Sequence, residues 1–129
     1  FLPVGLLFFL AGSLINVQHE EAAFFTVLAL SMGTGYTVSA FFPADPGSPL
    51  WGSANQQFHN FGGAVQYAGG LVALFGLSGE EVVRGIVFEA AGWLALVFTA
   101  GIVFPVFRRW RGLCQRITEL ILVGCLFLK

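Results

Sequence analysis

Apolar residues fall in five long runs, and short polar breaks separate them. The runs cover about 1–17, 22–42, 55–77, 82–107 and 113–128. Asn16, Gln18, His19, Glu20 and Glu21 form the first break, and Pro43 to Gly52 the second. Ser78 to Glu81 reads as a tight turn, and Arg108 to Gly112 as the last break. Each run is predicted to be a helix, because only a helix or a closed barrel satisfies its own backbone in hydrocarbon. The second and fourth runs are long enough to cross an apolar layer of ~30 Å. Ser53 and Gln56 have the spacing of a capping box, which opens the third helix.

Composition turns this pattern into a class. The 129 residues are 57% hydrophobic and 10% charged, with net charge −1. A soluble domain carries about 25% charged residues, so too little polar surface exists here to cover one. A soluble enzyme, a disordered tail and a nucleic-acid binder are excluded, the last because no basic block could track a phosphate backbone. The expected fold is an all-α polytopic transmembrane helix bundle, a single domain over 1–129. The bilayer is its first partner. The chain starts at Phe1 inside an apolar run, and its one Met is Met32. Phe1 to Ser13 lacks the basic flank of a secretory signal and is read as a span. Cys114 and Cys125 are eleven positions apart, roughly 16 Å along a helix, too far to bridge.

Alternating crossings would bring the Pro43–Gly52 loop and the Arg108–Gly112 break to one membrane face. The His19–Glu21 and Ser78–Glu81 turns take the other. Four arginines make the first face cytoplasmic by the positive-inside rule. Small residues recur at helical spacing: Ser31, Gly35 and Ser39 on one stripe of the second helix, Ala29, Gly33 and Thr37 on the next. Gly62, Gly63, Gly69 and Gly70 thin the third helix, and Ala91, Gly92 and Ala95 the fourth. Such stripes let helices approach closely in lipid.

Mirroring the helices about their turns places Thr34 near Gln66, Gln66 level with Trp93, and Asn60 level with Thr99. Thr34, Thr37, Asn60, Gln66 and Trp93 would then form a polar thread, either interhelical glue or the lining of a polar cavity. Glu89 lies inside the fourth helix, where a carboxylate is costly and by default a functional candidate. It would mark a transport path, though no internal repeat or broken helix pair supports one.

The sharpest chemistry lies on the loop face. Pro46-Gly47 suits the centre of a type II turn that Asp45 opens. His59 follows in the early turns of the third helix, and Gln115, Arg116 and Glu119 return to the same face. Arg116 can hold a phosphate or carboxylate, His59 can exchange a proton near neutral pH, and Asp45 can orient the imidazole. Asp45, His59 and Arg116 are therefore candidate catalytic residues, with Asn60, Gln66, Gln115, Glu119 and Glu89 as candidate binding residues. The bland alternative has Asp45 bonding a loop N–H, His59 capping the loop and Arg116 anchoring a helix end. No cofactor or metal is expected. His19 and His59 are about a bilayer apart, and the zinc-ligand set is thin. Nucleophile-elbow, Walker and dinucleotide-binding motifs are absent.

Phe42-Pro43-Ala44-Asp45-Pro46-Gly47, then His59 with Gly62-Gly63, then Gly112-Leu113-Cys114-Gln115-Arg116-Ile117, together resemble the markers of domain-of-unknown-function family 998. That is a prokaryotic family of polytopic membrane proteins. The resemblance covers most of the chain. It implies a six-helix bundle with a further helix and a polar motif upstream of Phe1, and it strengthens the choice of Asp45, His59 and Arg116. It supplies no reaction. Three functions follow as expectations. The first is binding or hydrolysis of a lipid headgroup or small polar ligand at one membrane face. The second is a non-catalytic subunit packing against other membrane protein subunits, and the third a small transporter.

Overall fold

A computed structural model describes residues 1–15, 20–79 and 82–128. Its five α-helices are α1 (Leu2–Leu14), α2 (Glu20–Phe41), α3 (Ala54–Leu77), α4 (Val82–Val103) and α5 (Arg111–Leu126). A 3₁₀ helix, Pro105–Trp110, joins the last two, and no strand occurs among the described residues. The fold is all-helical, as the apolar pattern predicts.

The boundaries depart from the pattern around the first and last breaks. α1 stops at Leu14 rather than 17, and Ile15 is extended. The polar residues 16–19 expected to form that break lie outside the described residues, as do 80 and 81 of the next turn. Glu20 and Glu21 open α2 instead of separating it from α1, and the Glu21 carboxylate suits the positive end of the helix dipole. The fourth helix does not run to 107. Pro105 has no N–H for the ladder and biases the residue before it towards extended backbone. Phe104 is accordingly extended, with φ −73° and ψ 129°. The chain then tightens into the 3₁₀ helix, and α5 starts at Arg111 rather than 113.

The helices group into two compact units, Phe1–Gly70 and Leu71–Lys129. In the first unit α2 is the middle helix, and its two small-residue stripes serve different neighbours. A Cβ on Gly5 or Gly33 would run into the facing helix, Gly5 meeting Thr37 and Gly33 meeting the Gly5 carbonyl at 3.1 Å and Phe9. Gly12 fits against Ala29 and Leu30 in the same way. These contacts make α1 and α2 an antiparallel pair along the Ala29–Gly33–Thr37 stripe. The Phe1 and Phe8 rings flank Tyr36, with centroids 6.0 and 5.7 Å away.

The other stripe meets α3. Gly69 lies against Ser31, Gln66 against Gly35, and Gly62 against Val38. The register is that of the expected mirror, in which Thr34 and Gln66 are level. Side chains larger than hydrogen at Gly62 or Gly69 would sit 2.7 Å from Val38 Cβ or 2.5 Å from Ser31 Cβ, closer than carbon atoms pack.

In the second unit Gly85 lies under the Ser78 carbonyl, Gly92 under the Phe75 ring and Gly101 against Cys114 Sγ. Cys114, Thr118, Leu122 and Cys125 form the buried face of α5, spaced as one helical stripe. Both cysteines are free thiols.

Two helices, Glu21–Phe41 and Val82–Val103, are long and apolar enough to cross a membrane. α3 is longer, at 24 residues, but Asn55, Gln56, Gln57, His59 and Asn60 crowd its first half. Large apolar side chains point outward along several helices, among them Leu7, Val97 and Leu120 at 64%, 64% and 72% exposure. Small and polar residues such as Gly35, Ser31, Gln66 and Thr118 are inside. The core also holds Phe25, Leu28, Met32, Leu74, Leu77, Phe88 and Leu122, so both the interior and much of the surface are apolar.

Candidate functional site at the corner between helices 2 and 3

The loop from Phe42 to Ser53 is built as expected at its apex. Ser48 N–H donates to the Asp45 carbonyl at 2.9 Å, and Gly47 adopts φ +79°. Those are the marks of a type II turn, whose third position favours glycine. Ser48 follows with φ 43°, so two successive residues in left-handed backbone turn the chain back towards α3.

Asp45 then clamps the start of α3. Its Oδ2 accepts from Ser53 N–H at 2.8 Å and its Oδ1 from Ser53 Oγ–H at 2.7 Å. Ser53 Oγ in turn accepts from Gln56 N–H at 3.2 Å, the N-cap bond predicted for it. The return bond of a capping box is absent, because Asp45 replaces the Gln56 side chain at the Ser53 amide. The side-chain and backbone bonds from Ser53, in that order, hold the Asp45 carboxyl below its ordinary value of 3.8 against a small opposing effect of burial. Gly52 makes room for this: a Cβ there would stand 2.5 Å from Asp45 Oδ2.

Released from capping, Gln56 runs a part-buried relay. Its Oε1 accepts from Asp45 N–H at 2.7 Å, and its Nε2 donates to Asn60 Oδ1 at 2.7 Å. Asn60 Nδ2 closes the circuit on the Leu50 carbonyl at 2.9 Å. Gln56 is 1% exposed, and the relay pairs each end of its amide. Its importance was not visible in the sequence beyond its place in the capping pattern. The only signal was three amide side chains, Asn55, Gln56 and Gln57, at a helix start where one would cap.

His59 is half-buried one helical turn below Gln56. Its Nδ1 lies 3.0 Å from the Phe42 carbonyl. A carbonyl only accepts, so Nδ1 carries the proton and Nε2 of the neutral ring presents a lone pair. The orienting group of the imidazole is thus the Phe42 carbonyl just past α2, and not the Asp45 carboxylate expected for it. Phe42 and Phe58 stack beside it at 4.7 Å. Nε2 has no hydrogen-bond partner among the described residues. The corner therefore spends Asp45, Gln56 and Asn60 internally and leaves one imidazole nitrogen open.

Within the first unit, Thr34, Thr37, Asn60 and Gln66 do not hydrogen-bond one another as the predicted thread would. Thr34 Oγ1 donates within its own helix to Leu30 O at 2.9 Å, and Thr37 Oγ1 is turned to the Gly5 side of α2. Asn60 belongs to the loop relay. Gln66 is 3% exposed beside Gly35, its Nε2 without a partner. Serine and threonine hydroxyls in helices readily bond the carbonyl of the preceding turn, which is how Thr34 leaves the thread. The ring partner of Trp93 is Phe75, edge-on at 5.3 Å.

The remaining candidates belong to the second unit. Gln115 Nε2 donates to Glu119 Oε1 at 3.1 Å, one turn along α5. Arg116 is exposed beside them and makes no ion pair or hydrogen bond with the described residues. Glu89 is exposed on α4, seven positions after the helix start at Val82.

A family model described as a protein of unknown function (DUF998) matches residues 1–128. No curated protein and no solved structure matches the chain.

Proposed function

The chain belongs to the DUF998 family, and from that premise we propose a multi-pass membrane protein that binds a phosphate-bearing lipid headgroup at the corner between α2 and α3. The observation that carries this is the open Nε2 of His59, fixed in direction by the Phe42 carbonyl in a corner where Asp45, Ser53, Gln56 and Asn60 are paired internally. α2 has 22 residues, about 33 Å of helix, enough for the hydrocarbon thickness. Its end, and hence His59, would lie at headgroup depth. The neutral ring accepts from a headgroup hydroxyl or ammonium, and the protonated ring donates to a phosphate oxygen.

Binding is favoured over hydrolysis. Both Asp45 oxygens accept from Ser53, so the imidazole lacks the carboxylate partner that a general base commonly uses. Arg116 is proposed as a second cation for the same class of headgroup, on the strength of its exposed, unpaired guanidinium. The Arg108–Arg111 break is assigned to the cytoplasmic side by its excess of arginine.

The test is mass spectrometry of lipids retained by the purified protein. His59→Asn keeps an amide donor near the Nδ1 position, preserving the Phe42 bond while removing Nε2. The variant is expected to fold and to lose the retained phospholipid. Equal retention by both proteins overturns the proposal. A second reading, a non-catalytic subunit of a larger membrane assembly, draws on the apolar outer surface and predicts stable co-migration with other membrane proteins on native gels.

A further inference from the structure

The 3₁₀ helix Pro105–Trp110 is exposed along its whole length and carries aromatic and cationic side chains only at set positions. A 3₁₀ helix has three residues per turn, so residues three apart share an edge. Phe104, Phe107 and Trp110 therefore line one edge, at 56%, 47% and 59% exposure. Arg108 and Arg109 occupy the other two edges, both exposed and without an ion pair or hydrogen bond among the described residues. Two further facts locate the segment. α4, immediately before it, has 22 residues, about 33 Å, which matches one crossing of the hydrocarbon layer. Pro105 then ends that crossing, so the 3₁₀ helix begins where the apolar layer gives way to headgroups. Aromatic rings concentrate at that depth, and unpaired guanidinium groups there meet phosphate.

We propose that Pro105–Trp110 is an interfacial anchor selective for acidic phospholipids, with Phe107 and Trp110 seated among the glycerol groups and Arg108 and Arg109 on headgroup phosphates. The segment lies in the second unit, and the proposal does not depend on His59. Charge complementarity selects the occupant. A zwitterionic headgroup has no net charge to attract the two arginines, and an acidic one has a net negative charge.

The test uses the full chain reconstituted in phosphatidylcholine vesicles containing spin-labelled phosphatidylglycerol or spin-labelled phosphatidylcholine. Electron paramagnetic resonance reads the motionally restricted fraction at the protein surface. The wild type is expected to prefer phosphatidylglycerol, and to lose part of that preference at high salt. Arg108→Gln with Arg109→Gln is expected to lower it by about fivefold for each cation removed. Arg108→Lys with Arg109→Lys retains most of it. Circular dichroism verifies the helical fold of each variant. Undiminished preference in the double glutamine variant overturns the proposal. So does displacement of the labelled lipid by soluble glycerol phosphate, which would make the segment a site for a free anion.

Discussion

Replacing Gln56 with leucine removes both ends of one amide from a part-buried circuit while nearly conserving volume. Two groups lose their partners: the Asp45 N–H, now 2.7 Å from Oε1, and Asn60 Oδ1, now 2.7 Å from Nε2. Each buried group left unpaired costs about 1–3 kcal/mol. The leucine side chain regains about 1 kcal/mol by burying apolar surface in place of an amide. The N-cap bond survives, because Ser53 Oγ accepts from the backbone of residue 56 and not from its side chain. A net loss of about 1–5 kcal/mol follows from the same two principles. The assay is reversible unfolding in mixed micelles of increasing denaturing-detergent fraction, followed by circular dichroism. Asn60→Ala and the double variant complete a thermodynamic cycle, in which directly bonded residues couple by about 0.5–3 kcal/mol. Additive single effects, or a Gln56→Leu protein within about 0.5 kcal/mol of wild type, would refute the relay as the element that orders this corner.

Four other substitutions probe different links. Gly62→Val drives a branched side chain into Val38, whose Cβ is 2.7 Å from the first added atom; overpacking should cost about 1–3 kcal/mol in the same unfolding assay. Gly47→Ala has open space but φ +79°, so it should destabilise by about 1 kcal/mol from backbone strain alone. Gly112→Ala, equally open and inside α5 without that strain, should be neutral or stabilising. Asp45→Asn should lower the thermal midpoint at neutral pH and match the wild type in acid. Because the folded-state pKa of Asp45 lies below the ordinary 3.8, its contribution is complete above that value and disappears as pH falls through the lowered one. Wild-type and variant midpoints that remain apart below the folded-state pKa would contradict the Ser53 clamp as the source of the shift.

Much of this architecture is legible one residue at a time, because apolar helices obey few rules. Ala29–Gly33–Thr37 and Ser31–Gly35 could be assigned to separate faces of α2 from spacing alone, and the structure gives each its own neighbour. Pro46-Gly47 announced its turn because only one common turn type wants that pair. The end of α4 was less visible, since Val103, Phe104, Val106 and Phe107 continue the apolar run through Pro105. Hydrophobicity reports depth, whereas the proline reports backbone geometry, and here the backbone decides. The roles in the α2–α3 corner were legible as residue types and not as partners. Asp45, Ser53 and Gln56 each have a local use at a helix start. Which of them meets the Ser53 amide depends on a loop path set by Gly47, Ser48 and Gly52.

The central claim, an imidazole locked at Nδ1 and open at Nε2, is read most directly by nitrogen-15 magnetic resonance of labelled histidine in lipid nanodiscs. His19→Gln leaves His59 as the one histidine signal. At a pH where the ring is neutral, the account predicts a protonated Nδ1, an unprotonated Nε2, and an Nε2 resonance that moves when phosphatidylglycerol replaces phosphatidylcholine. A ring protonated at Nε2 instead, or a resonance indifferent to the lipid, would contradict it.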